Sequence, residues 1–377
     1  MGEGGKNMST AIGDDMGFED EDELVNKGNA FAEMNNFKEA LECYDKALSM
    51  NSKSTTAWYY KGVALGKMGL IKEEIESYEE VIKLDHNAEY AWYNKGVAFL
   101  TLDNFEEALR CFEVVLLLNP EAMDVWYNKG NILFKQGQLE EALKCFDKVT
   151  IKVKDNLDVW KQKGQILISL ERFEDAIKAY KQALKIDRYN EEVLQNMGNA
   201  YVTLGMLKEA VKCYDDILQS NQNLETVWYN KGNALRMSGY VEEALLCYDR
   251  AIGLNSNNEN AVYNKGLLLG TIGDYRGALV HFERAIEINP KSKEAWLNRG
   301  ITLQIMNRLS LAIECYDKAL RMDPNLAMGW FSKAVALDAL GKFDEAANCY
   351  NMAMDVSPYL DYTVMDKQMK YFEEYKT

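Results

Sequence analysis

The residues of this chain best equipped for chemistry are its seven cysteines: Cys43, Cys111, Cys145, Cys213, Cys247, Cys315 and Cys349. A thiol can act as nucleophile, metal ligand or disulfide partner, and the last two roles constrain spacing. Here the spacings are 68, 34, 68, 34, 68 and 34 residues. If each 34-residue step is one structural layer, neighbouring thiols are at least as far apart as packed helix axes, ~8–10 Å. A disulfide needs Cα atoms within roughly 7 Å, and a shared zinc draws sulfurs closer still. The column therefore reads as small apolar filler at a half-buried helix position. Ser77, Ala179 and His281 stand at the same phase elsewhere, which fits packing better than chemistry. The only other candidate ligands or bases of this kind, His86 and His281, are nearly six periods apart. The chain has no GxxxxGKS/T, no GxSxG, no HExxH and no paired CxxC. Neither catalysis, nor a metal, nor a cofactor is expected.

Charge narrows the partners. The chain of 377 residues carries 43 Lys and Arg against 59 Asp and Glu, a formal charge of -16. An acidic surface repels phosphate, so nucleic acid and anionic membrane are disfavoured, and basic partners mildly favoured. No apolar run approaches the ~18 residues a spanning helix requires. Residues 1–20 read as a disordered acidic arm without the apolar core of a secretory signal. Lys6 stands where a myristoylation signal wants Ser or Thr. With unprotected thiols, these features predict a cytoplasmic location.

The elements that position the cysteines follow from the period. Counted from Glu21 in rows of 34 (21–54, 55–88 and so on to 327–360), all seven Trp fall at position 4, all seven Cys at 23 and all four Pro at 32. Ten rows run without insertion or deletion. Such an array buries its core between neighbouring repeats and presents surface to partners. In the fourth row, Trp126, Gly130 and Leu133 share one helical face, Gly137 suits a left-handed terminator, and Leu139, Ala142, Phe146 and Val149 begin a second face. Each row is thus predicted to be helix, tight turn, helix. Position 8 is Gly in nine rows and Ala334 in the tenth, and position 20 is Ala in nine rows and Glu74 in the second. A glycine facing an alanine would let the two helices approach closely. Position 15 is Gly in six rows and Asn at 35 and 307, but Asp103 and Glu171 depart, so those turns are expected to differ. Position 24 is always aromatic, from Tyr44 to Tyr350.

Trp at 4, Gly at 8, Ala at 20, an aromatic at 24, Ala at 27 and Pro at 32 resemble the tetratricopeptide repeat (TPR) family. The match covers ten rows, residues 21–360. The resemblance implies an all-α, right-handed superhelical solenoid of helix pairs whose first helices line a concave groove. Residues 361–377, with Met365, Met369 and Phe372 on one face, are expected to form a C-terminal capping helix.

The resemblance also implies which positions face the groove: 2, 5, 6, 9, 12 and 13 of each first helix. Position 5 carries an aromatic ladder that includes Tyr59, Tyr93, Tyr127, Tyr229 and Tyr263. Position 6 carries an asparagine ladder that includes Asn94, Asn128, Asn196, Asn230, Asn264 and Asn298. Asn131, Asn199 and Asn233 add to it at position 9. A carboxamide offers donor and acceptor together, enough to pair with peptide backbone of any sequence. These fourteen residues are the expected peptide contacts, and ordinary helix surface is the competing reading. Chaperone-binding relatives use a basic two-carboxylate clamp at positions 2, 5 and 6. Here position 2 holds Asp22, Asp124, Asp158, Glu192 and Glu294, and Lys161 is the lone basic residue, so an acidic C-terminal tail is not expected. The expected occupant is a peptide or protein of basic or mixed charge. The rivals are a non-catalytic subunit of an enzyme complex and a self-associating homo-oligomer.

Two further columns look structural. Position 7 is basic in nine rows and position 25 acidic in eight, which suggests stems packed between helices with heads on carboxylates. The Trp column is expected to hold the array together, each indole buried.

Overall fold

A computed structural model of the chain describes residues 20–357. Among these the regular structure is entirely helical, numbered α1 to α20 in chain order. The first helices of the repeats are α1 (Glu21–Glu33), α3 (Thr55–Lys67), α5 (Glu89–Thr101), α7 (Met123–Lys135), α9 (Leu157–Ser169), α11 (Glu191–Thr203), α13 (Glu225–Met237), α15 (Glu259–Thr271), α17 (Lys293–Ile305) and α19 (Ala327–Ala339). The second helices are α2 (Phe37–Met50), α4 (Ile71–Leu84), α6 (Phe105–Leu118), α8 (Leu139–Lys152), α10 (Phe173–Ile186), α12 (Leu207–Ser220), α14 (Val241–Leu254), α16 (Tyr275–Ile288), α18 (Leu309–Met322) and α20 (Phe343–Val356). The predicted arm lies outside the described residues except for Asp20, whose carboxylate caps α1 by accepting from the Glu23 N–H at 2.8 Å. The predicted capping helix lies outside them entirely.

The helices fall into two compact units with the boundary between Ile166 and Leu167, inside α9. In the first unit, each helix from α1 to α8 packs on the next; in the second, the same holds from α10 to α20.

The turn inside each repeat is fixed by one left-handed residue. Gly69, Gly137, Gly205, Gly239, Gly273 and Gly341 take φ between 71° and 83°. The expectation that Asp103 and Glu171 mark different turns is corrected: they adopt φ of 52° and 57°, beside Asn35 at 60° and Asn307 at 57°. The closing hydrogen bonds are also kept. Leu70 N–H reaches the Leu65 carbonyl at 3.0 Å, and Asn104 N–H reaches Phe99 at 2.9 Å. Packing on both sides imposes the conformation, and two side chains bear its cost.

The core is organised around position 24 and not around the Trp column. Tyr44, Tyr78, Phe112, Phe146, Tyr180, Tyr214, Tyr248, Phe282 and Tyr316 are the largest fully buried side chains. The position-8 glycines exist to admit these rings. A Cβ on Gly28 would lie 2.4 Å from Tyr44, on Gly130 2.8 Å from Phe146, and on Gly300 2.5 Å from Tyr316. The expected glycine–alanine pairing is therefore a glycine–ring pairing, with the position-20 alanines fully buried nearby. The buried cysteines are filler, as expected: all seven are free thiols, and desolvation pushes Cys111, Cys145 and Cys247 up to about 11.

The tryptophans are only half-buried, which corrects the expectation of buried indoles. Each is a staple. Its indole N–H donates to the backbone carbonyl six residues earlier, as in Trp58 to Ser52 at 3.1 Å and Trp126 to Pro120 at 2.9 Å. Six of the seven rings, all but that of Trp126, are covered by the position-7 cation: Lys61 stands 5.0 Å over Trp58 and Lys231 5.3 Å over Trp228. That cation then reaches the position-25 carboxylate of the preceding repeat. Lys61 meets Asp45 at 2.7 Å, Lys129 meets Glu113 at 3.0 Å and Lys333 meets Asp317 at 2.6 Å. The basic column is thereby committed internally and does not present a stripe to an acidic partner.

Candidate functional site

The residues expected to line the groove sit on the first helices, and almost all of them are half-buried; Asn199 alone of the fourteen is exposed. Their side chains are joined from repeat to repeat. In the first unit Asn94 Nδ2 donates to the Tyr59 hydroxyl at 3.3 Å, and Asn128 Nδ2 to Tyr93 at 3.5 Å. In the second, Asn264 donates to Tyr229 at 3.1 Å and Asn298 to Tyr263 at 2.8 Å. Each rung thus ties position 6 of one first helix to position 5 of the previous one. Asn94 and Asn298 spend their other amide proton on their own helices, donating to the carbonyls of Tyr90 at 2.8 Å and Glu294 at 3.0 Å. The rings of Tyr93 and Tyr263 rest on Phe112 and Phe282, with centroids 6.2 and 5.9 Å apart.

Position 9 does a different job. Asn29, Asn199 and Asn233 accept from the buried hydroxyls of Tyr44, Tyr214 and Tyr248, each at 2.8 Å. Asn230 and Asn264 add donors to Asn199 and Asn233 at 3.5 and 3.1 Å. Burial pushes the Tyr44 and Tyr248 phenols up to about 12, so these hydroxyls stay protonated donors. A buried phenol without an acceptor would cost about 1–3 kcal/mol, which explains the asparagines.

The same rule accounts for Glu74, the one break in the alanine column. The second repeat has Val63 at position 9, which cannot accept. Glu74 instead hydrogen-bonds the Tyr78 hydroxyl, its carboxylate packed so close to Gly66 that a Cβ there would lie 2.6 Å from it. Burial raises the Glu74 carboxyl above its ordinary value. In the ninth repeat Gln304 takes this role, accepting from Tyr316 at 2.6 Å.

Much of the asparagine ladder is therefore internal bracing, a fact the column pattern alone did not reveal. The structure also brings in residues outside the fourteen named from the sequence. A pocket of about 450 Å³ lies on the first-helix face of the third to fifth repeats, lined by Leu100, Phe105, Phe134 and Gln162 together with the anticipated Tyr127, Asn128 and Asn131. Leu100 and Phe134 stand at position 12, one of the positions expected to face the groove, where apolar side chains in consecutive repeats were the available signal. A second crevice, at Trp228, Lys231 and Asp215, is formed by the staple and ion-pair ladder itself. Among the described residues no group of three or more His, Cys, Asp or Glu could hold a metal ion, and no helix is long and apolar enough to cross a membrane.

Family models of the tetratricopeptide repeat match residues 22–54, 55–87, 167–234, 226–258, 260–292, 294–326 and 315–347, and a model of a TPR-like repeat matches 74–199. Among solved structures, the C-terminal part of a TPR repeat-containing protein from Cytophaga hutchinsonii is 17% identical, covering 63% of this chain and 97% of that one, with a TM-score of 0.55. YrrB, described as a TPR protein with an unusual peptide-binding site, is 26% identical over 52% of this chain and 97% of its own, with a TM-score of 0.43. MamA is 21% identical over 45% and 92%, with a TM-score of 0.42. No curated protein sequence matches.

Proposed function

The chain is a tetratricopeptide-repeat protein, and from that premise we propose that it is a non-catalytic scaffold holding an extended segment of a partner protein against its first-helix face. The observation that carries this reading is the polarity left over on each rung. Asn94 and Asn298 spend both amide protons internally, so their Oδ1 acceptors remain for a guest. The phenols of Tyr59 and Tyr263 accept from those asparagines and keep a proton to donate. One acceptor and one donor per rung is what a peptide bond requires, whatever its side chains. Half-buried tyrosines add flat apolar area at low entropic cost. The acidic residues at position 2, Asp124, Asp158 and Glu294 among them, are exposed beside this face and favour a guest of basic or mixed charge.

Removing whole rings would damage packing on Phe112 and Phe282, so the test is a hydroxyl deletion. The full chain and a Tyr93→Phe, Tyr263→Phe double variant are used as bait in lysate from the native source, with bound proteins identified by mass spectrometry. A partner enriched by the wild type and depleted by the variant supports the reading. Identical partner sets on both baits move the interface away from the rungs.

A further inference from the structure

Among the described residues the internal bracing is interrupted twice: the buried Tyr180 hydroxyl of the fifth repeat has no hydrogen-bond partner, and the fourth repeat has the converse, a carboxamide without a hydroxyl. Asn131 occupies position 9, but position 24 of its repeat is Phe146, which has no hydroxyl to offer. Among the described residues Asn131 makes no hydrogen bond, whereas Asn29, Asn199 and Asn233 each hold a tyrosine hydroxyl. The neighbouring rung is altered as well. The next repeat supplies Gln162 at position 6 in place of asparagine. The Tyr127 ring stands edge-on to Phe146 at 89°, while Tyr59, Tyr93, Tyr229 and Tyr263 tilt against their partners by 40–54°. The helices around it are more loosely joined: α6 and α7 pack more sparsely than α2 and α3 or α4 and α5. The pocket of about 450 Å³ opens at this gap, with Leu100, Phe105 and Phe134 as its apolar walls.

We propose that this pocket is the anchoring subsite for a bound peptide. One uncharged apolar side chain, of leucine to phenylalanine size, enters between Leu100, Phe105 and Phe134. The Asn131 carboxamide pairs with the N–H and C=O of the same peptide residue. This deepens the scaffold reading and rests on it. A peptide is the occupant that fits because a carboxamide with all its capacity unspent, half-buried beside apolar walls, matches an amide and an aliphatic or aromatic group together. A carboxylate or phosphate is disfavoured: Lys135 is the pocket's one cation among its lining residues, and its ammonium is held 5.4 Å over the Phe105 ring.

The test begins with linear twelve-residue peptides selected from a random phage-displayed library on the full wild-type chain. Their affinities are then measured by fluorescence polarisation on three variants: Asn131→Ala, Phe146→Tyr and Asn298→Ala. Phe146→Tyr supplies the hydroxyl that captures Asn131, as Tyr214 captures Asn199. The expected result is peptides sharing one large apolar residue, weakened about tenfold by Asn131→Ala or Phe146→Tyr, the loss of a hydrogen-bonded pair. Asn298→Ala, at a rung that the scaffold reading also uses, weakens them by a smaller factor than either change at the gap. Thermal unfolding separates folding from binding, since Asn131→Ala removes no internal bond and Phe146→Tyr adds one. Peptides weakened by Asn298→Ala but indifferent to both changes at the gap would overturn the subsite and leave the scaffold reading standing. No selected peptide, or peptides indifferent to all three variants, would overturn both.

Discussion

At the scale of single residues, two departures from the repeat carry the clearest predictions. Glu74 is held above the usual carboxylate range chiefly by burial, with its hydrogen bond to Tyr78 pulling the other way. A carboxyl whose folded value exceeds its unfolded value destabilises the fold when ionised. That cost is fully present above the folded value and vanishes below the unfolded one. Glu74→Gln keeps an acceptor for Tyr78 without the charge. The variant is expected to unfold at higher urea concentration than wild type at pH 7, with the difference shrinking as pH falls through the raised value. A constant difference across that range would remove the charge from the explanation. Glu171 pays for a left-handed backbone that glycine adopts freely in six other repeats. Glu171→Gly should stabilise the chain by about 0.5–1 kcal/mol, the steric relief of ~1–2 kcal/mol less the added entropy of the unfolded glycine. Asp103→Gly should gain less, because aspartate tolerates this region better. Urea titration checks both.

At the scale of helices, the two kinds of helical glycine behave oppositely. Gly300→Ala drives a methyl to within 2.5 Å of the Tyr316 ring, which is fully buried and cannot yield. The overpacking cost of about 1–3 kcal/mol outweighs the ~1 kcal/mol that alanine gains in a helix. Gly270→Ala, whose methyl would meet only Ala278 at 3.9 Å, should instead raise the melting temperature. The helix pair, its turn and the small cysteine column were legible in the sequence, because each rests on local periodicity or on the size of one side chain. The partner of each glycine was not. Columns show which residue types recur, but Gly28 and Tyr44 meet only once two helices cross. The candidate site was legible in the same limited way. Its residues are on the expected helices, yet the split between braced asparagines and the unbraced Asn131 depends on a pairing of positions 9 and 24 within each repeat. The Trp column misled for a related reason: a large apolar side chain suggests burial, whereas here the indole N–H must reach a turn carbonyl at the edge of the core.

At the scale of the whole molecule, stability in such an array is a sum over repeats and their junctions, so damage stays local. Gly300→Ala should raise hydrogen exchange in the helices from α15 to α20 while protection in α1 to α8 is unchanged. Mass spectrometry of exchanged peptides would detect a uniform loss, which would mean that the chain opens as one unit. The ladders also bear on how such a chain can lengthen. The bond between positions 9 and 24 travels inside a repeat, while at eight of the nine junctions the cation at position 7 meets an acid at position 25 of the preceding repeat, the exception being Met197 after Lys181. Excising residues 259–292 would bring Arg299 to Asp249 in place of the Lys265 that meets it now, one cation for another on the same carboxylate. A whole repeat from the second to the fourth or from the seventh to the ninth can thus be duplicated or lost by recombination without leaving a mismatched seam, whereas loss of the sixth would set Lys231 against Lys181.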